Sequence, residues 1–181
     1  GGENDVVLHE DIVINELMYH RAPVSEAGEA FAENPEEWLE LLNRGESAVD
    51  LSGWSLVDGV SFVFPAGTML SPGGHLVVAR DADALSALHP DIAVVGDYGG
   101  ALGDGGDRVV LLDGLGNPAD EVRYFDGGRW PEAADGGGAS LELMDPWADN
   151  GAAEAWAASD EGGRAGWVPV EVRGLVGSSS V

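Results

Sequence analysis

The sequence predicts an all-β sandwich or barrel. Three observations carry that prediction: 28 Gly and 9 Pro residues punctuate short apolar runs, no long segment repeats at the helical period, and several runs alternate as half-buried strands do. A hydrophobic fraction of 44% is ample for a core and argues against an acidic disordered tail. At 181 residues the chain fits one large domain, or one domain with extensions, and excludes a multi-domain enzyme with a complete cofactor domain.

Asp11–Tyr19 is the first expected strand, and the polar segment Arg21–Glu36 reads as an insertion after it. Trp38–Asn43 follows, then Trp54–Asp58, where residues 54, 56 and 58 point one way and 55 and 57 the other. Ser61–Phe64, His75–Arg80, Ile92–Val95, Arg108–Asp113, Glu121–Tyr124 and Ser140–Met144 complete the expected strands. Leu76–Ala79 and Val109–Leu112 are apolar throughout, as a strand covered on both faces should be. Ser71-Pro72-Gly73-Gly74 should reverse the chain, and Asp113-Gly114-Leu115-Gly116-Asn117 should close a hairpin. Two short helices are expected: Asp81–Leu88, stopped by His89-Pro90, and Ala152–Ala158, with Asp149-Asn150 as its cap. The predicted division is a lead-in at 1–10, a sandwich at 11–145 and, at 146–181, an extension and the start of a linker to a following domain, where Gly177–Ser180 has linker composition and Val168–Arg173 reads either as the first strand of that next domain or as an added strand here.

The chain resembles the lamin tail domain family. The likeness rests on Ile12–Tyr19, Glu37–Asn43 and Val49–Gly59, and it continues through Phe62–Thr68, Leu70–Gly74, Leu76–Arg80 and Gly106–Leu112. It extends over roughly 11–145 and implies an immunoglobulin-like β-sandwich with a C-terminal extension. Glu121–Tyr124, Trp130-Pro131, Asp135–Gly138, Ser140–Pro146 and Trp156–Ser159 are similar to the bacterial branch, in which the family serves as one module of a large secreted or surface protein. An extracellular or cell-surface location and other domains in the parent chain follow from that resemblance. Coiled-coil heptads and a terminal prenylation box are missing, so lamin-type chromatin binding is not carried over. The resemblance supplies no catalytic residue, and no enzyme activity is expected; hydrolase or nuclease chemistry would belong to a neighbouring domain.

Charge narrows the partners. Eight basic residues, all Arg, face 33 Asp and Glu, for a formal charge of −25 that repels nucleic acid and acidic membranes. No apolar run is long enough for a membrane span. With no Cys there is no disulfide framework and no thiolate metal site. A protein or glycan remains as partner.

Three kinds of site are conceivable. Glu16, Glu37 and Glu40 could form a paired-carboxylate hydrolase centre, against the plainer reading that Glu40 bonds backbone amides of the Asn43-Arg44-Gly45 turn. Calcium could be held by oxygen ligands in Asp145–Gly151, with Asp145, Asp149 and Asn150 as candidates, or by Asp97, Asp104 and Asp107; against this, Asp and Asn are common turn formers. Trp38 and Trp54 should be core, whereas Trp130, Trp147, Trp156 and Trp167 either pin the extension or stack on sugars in a calcium-assisted carbohydrate-binding module. His9, His20, His75 and His89 lack zinc-site spacing, and His20 reads as a strand-end or pocket-lining residue.

Overall fold

The computed structural model describes residues 10–20 and 36–159. Among these the strands are β1 (Ile12–Met18), β2 (Trp38–Asn43), β3 (Val49–Asp50), β4 (Ser55–Asp58), β5 (Val60–Val63), β6 (Met69–Leu70), β7 (His75–Ala79), β8 (Val94–Val95), β9 (Gly99–Gly100), β10 (Gly106–Leu112), β11 (Pro118–Phe125), β12 (Leu141–Leu143) and β13 (Trp156–Ala158). One helix, α1 (Ala82–Leu88), and short 3-10 turns at Glu132–Ala134 and Ala153–Ala155 accompany them.

The strands form a sandwich. One sheet runs β13-β12-β1-β2-β7-β8, the other β11-β10-β4-β5-β9, and β3 pairs with β6 separately. Pairing is antiparallel except between β7 and β8. Ile14, Leu17, Leu39 and Leu41 of the first sheet join Leu56, Leu111, Val122 and Tyr124 of the second in one core. Truncating one such Leu to Ala costs about 2–5 kcal/mol. The alternation of Trp54 and Leu56 inward is as expected; Asp58 departs from it because it sits at a turn with φ 74.

The six-stranded sheet is covered on its second face too. Met18, Trp38, Val77, Ala79 and Leu85 form a smaller cluster there, with Leu85 contributed by α1. Every residue of β1 and β2 is therefore buried, the polar Asn15, Glu16, Glu40 and Asn43 included. The sequence starts α1 as expected, with the Asp81 side chain accepting from Ala84 N at 2.9 Å. At the hairpin between β10 and β11, Asp113 Oδ1 accepts from the amides of Leu115 and Asn117, each at 2.8 Å, and Gly116 takes φ 85.

Two expectations need correction. Ala152–Ala158 is not a helix: after the 3-10 turn, β13 pairs with β12 through Leu141↔Ala158 and Leu143↔Trp156. Burying Trp156 against Trp130, ring centroids 6.2 Å apart, outweighs the helix preference of Ala. The sandwich consequently does not stop at 145, because β13 lies in the same sheet as β1. The Arg21–Glu36 insertion falls outside the described residues apart from Glu36, as do the lead-in up to His9, Trp167 and the segments at 168–173 and 177–180.

Candidate functional site

Polar groups enter the outer layer of the six-stranded sheet where β1 is irregular. The register shifts between Ile14 and Glu16, so Asn15 is an extra residue and Glu16 comes directly opposite Glu40 on β2. Asn15 Nδ2 donates to Glu40 Oε1 at 2.9 Å. The same oxygen lies 2.7 Å from Nδ1 of His75, the first residue of β7. Glu16 accepts a hydrogen bond from Ser140 Oγ beside β12. The chain has thus placed a row of polar groups from Ser140 beside β12, through Glu16 on β1 and Glu40 on β2, to His75 on β7. Hydrogen bonding to Glu40 raises the His75 pKa above its ordinary value, against an opposing effect of burial.

An acid next to an imidazole can shuttle protons, but only toward something it can reach. Glu40 is 1% exposed and Glu16 5%. Glu37 does not join them. Its Oε1 accepts from Arg80 at 2.6 Å and its Oε2 from Leu102 N at 3.0 Å and Tyr98 OH at 3.4 Å, tying the start of β2 to the loop before β10. The expected three-carboxylate centre is therefore a buried pair plus a separate cross-link. The role foreseen for Glu40 at the following turn belongs to Asn43, whose Oδ1 accepts from Gly45 N while Nδ2 donates to Ser47 O and Leu70 O.

The loop after β12 uses its polar residues in its own turns. Asp145 Oδ1 accepts from Trp147 N at 2.9 Å, and Asp149 Oδ1 from Gly151 N at 3.0 Å. Asn150 points away from both: it is buried, donates from Nδ2 to Asp120 Oδ2 at 2.8 Å, and accepts from Trp156 Nε1 on its carbonyl. The three residues singled out for calcium thus do not converge on one point. Asp97 accepts from Ala82 N at the start of α1, whereas Asp107 accepts from Gly103 N and Arg108 N. Among the described residues no three His, Asp or Glu side chains are grouped as metal ligands.

Trp38, Trp54, Trp130 and Trp156 are buried, the last two holding down the C-terminal strand, and Trp147 is exposed. Nδ1 of His20 pairs with Asp135 at 2.6 Å, where the chain after β1 bridges the segment before β12. The His89 backbone amide closes α1 on Leu85 O.

Asp120 escaped sequence reasoning. Its carboxylate accepts from Ile14 N at 2.6 Å as well as from Asn150, supporting the irregular point of β1 and the C-terminal loop together. Burial raises its pKa despite these bonds. A signal existed: period two puts residue 120 on the side of the inward-facing Val122 and Tyr124. Tyr19 was also missed. Its ring packs on Tyr124 with centroids 4.6 Å apart, and its hydroxyl is the one buried side-chain polar atom without a hydrogen-bond partner among the described residues. Burial, then the charges of Asp135, Asp126 and Asp104, push its pKa up.

No curated protein matches the chain. A crystal structure of a DUF4876 family protein from Bacteroides thetaiotaomicron VPI-5482 is similar at 11% identity and a TM-score of 0.42, over 57% of this chain and 42% of that one. The chain thus spans under half the length of that protein. The model of the Lamin Tail Domain matches residues 8–126, from the approach to β1 through the end of β11. With both sheets and the ordered blocks in place, the chain belongs to the lamin tail domain family, whose fold is an immunoglobulin-like β-sandwich.

Proposed function

We propose that this domain is a non-catalytic structural, adhesion or protein-interaction module of a large bacterial surface or secreted protein. The observation that carries the reading is the state of Glu40. The best-placed catalytic carboxylate is 1% exposed and spends its Oε1 on Asn15 and His75, which suits a strut and not a group that must meet substrate. The acidic composition, with 33 Asp and Glu, keeps such a module soluble and directs it toward protein or neutral glycan and away from nucleic acid. Among the described residues no helix is long and apolar enough to cross a membrane.

The test has two arms. Antibody against the domain should label intact cells of the source bacterium. The purified 181-residue chain should show no hydrolysis of glycoside, ester or phosphoester substrates. Turnover that disappears in both Glu16→Gln and Glu40→Gln would replace this reading with the hydrolase.

A further inference from the structure

Trp147 is 66% exposed, yet it is held in place by two contacts. The Arg44 guanidinium carbon sits 4.7 Å from the indole centroid, so one face of the ring carries a cation. Arg44 is itself fixed, donating from Nε to Glu10 O at 2.8 Å and from Nη1 to Pro146 O. The Asp145 carboxylate also accepts from the Trp147 backbone amide at 2.9 Å, fixing the backbone that carries the ring. Lone surface aromatics need no explanation, but a flat side chain ordered before any ligand arrives has already lost the freedom that binding would remove.

The flanking residues alternate. Asp145, Trp147 and Asp149 are exposed, whereas Pro146 and Ala148 are half-buried and Asn150 is buried. Asn150 anchors this arrangement to the sandwich through Asp120. A carboxylate, an indole and a second carboxylate are therefore the exposed side chains of one short loop. In both turns it is Oδ1 that is used, leaving Oδ2 to accept from a ligand.

We propose that Trp147, with Asp145 and Asp149, forms a binding platform for an uncharged pyranose sugar. The chemistry selects that class. With Arg44 behind one face, a second cation over the other would meet like charge, whereas the weakly polarised C–H groups of a sugar ring would not. Two exposed carboxylates within two residues of Trp147, on a chain of net charge −25, disfavour anionic sugars. A carboxylate oxygen accepts hydroxyl hydrogen bonds of the charge-assisted kind, which fix orientation on the plate.

This platform deepens the adhesion reading and rests on it. The full chain is titrated calorimetrically with cello-, chito-, manno- and xylo-oligosaccharides, with an oligogalacturonate and a proline-rich peptide as controls. Binding to at least one neutral sugar is expected. Trp147→Ala should weaken it roughly tenfold, the scale of one stacked ring, without lowering Tm; Trp147→Phe should recover part of the loss. Asp149→Asn should weaken binding while leaving the turn intact. No neutral sugar bound, a preference for the anionic sugar or the peptide, or affinity unchanged in Trp147→Ala would each overturn the platform. Release of reducing ends from a bound sugar would overturn the non-catalytic reading while leaving the platform standing.

Discussion

The two sheets handle charge in opposite ways. In the six-stranded sheet, Glu40 at 1% exposure meets Asn15 and His75 inside the protein. In the five-stranded sheet, Arg108 on β10 reaches Asp58 on β4 and Glu121 on β11 across an open face, with the three side chains 42%, 46% and 45% exposed. The second cluster has the more complete set of opposite charges. It nevertheless contributes less to stability, because water already solvates its members and salt screens them. Glu40 and Asn15 have lost their water, with only His75 half-buried at the edge, so removing a bond from Glu40 leaves a buried group unsatisfied.

The sharpest way to break this contrast is Glu40→Ala. It leaves buried Asn15 and half-buried His75 without their acceptor, and a loss of about 3 kcal/mol is expected in denaturant unfolding. That loss corresponds to a Tm drop on the order of 10 °C, and a change below about 1 kcal/mol would mean that the cluster is no more consequential than a surface pair. Asp120→Ala comes next, at about 1–3 kcal/mol, because the buried Ile14 amide loses its acceptor. Asp120→Asn keeps an acceptor oxygen and should cost less; equal losses would assign the effect to charge instead of the hydrogen bond.

A smaller effect is expected from pH. The folded-state pKa of His75 lies above the ordinary 6.5, chiefly through its bond to Glu40. Folding therefore favours the protonated ring: the stabilisation is fully present below about 6.5 and is lost as pH rises through the folded value. Tm followed upward from pH about 6.5 should fall, and His75→Gln should remove that part of the slope. A Tm that rises over this window only in the His75 protein would reverse the assignment. Arg108→Gln, on the open sheet, should leave Tm unchanged at physiological salt; a clear drop would show that exposure alone does not set the worth of a charge cluster. The smallest response is expected from chelation. Because Asn150 turns inward to Asp120 and no third His, Asp or Glu groups with Asp145 and Asp149 among the described residues, EDTA should not move Tm. A decrease that Asp149→Ala abolishes would return calcium to that loop.

What could be read in advance was local. The inward alternation of Trp54 and Leu56, the Asp113–Asn117 hairpin and the short helix that begins next to Asp81 each depend on neighbours a few residues away, and each is present in the fold. Trp38 and Trp54 are core because strand geometry carries them inward. Non-local decisions were illegible for a matching reason. Ala152–Ala158 carries helical propensity, and only the open edge of β12 makes part of it a strand. Asn150 and Asp149 are adjacent and of similar type, yet one reaches inward to Asp120 and the other closes a surface turn.

By itself the sequence determined an all-β chain, most of its strands and turns and its anionic character, because these follow from composition, period and turn chemistry, while the family came from the resemblance of its ordered blocks. Only the tertiary structure decided that Glu16 and Glu40 face each other, that Glu37 stands apart, and that Trp147 alone of the described tryptophans faces solvent. The reason is physical. Burial and register come from strands brought together across long stretches of chain, as when Asp120 supports Ile14 over a separation of 106 residues, and no local preference encodes that meeting.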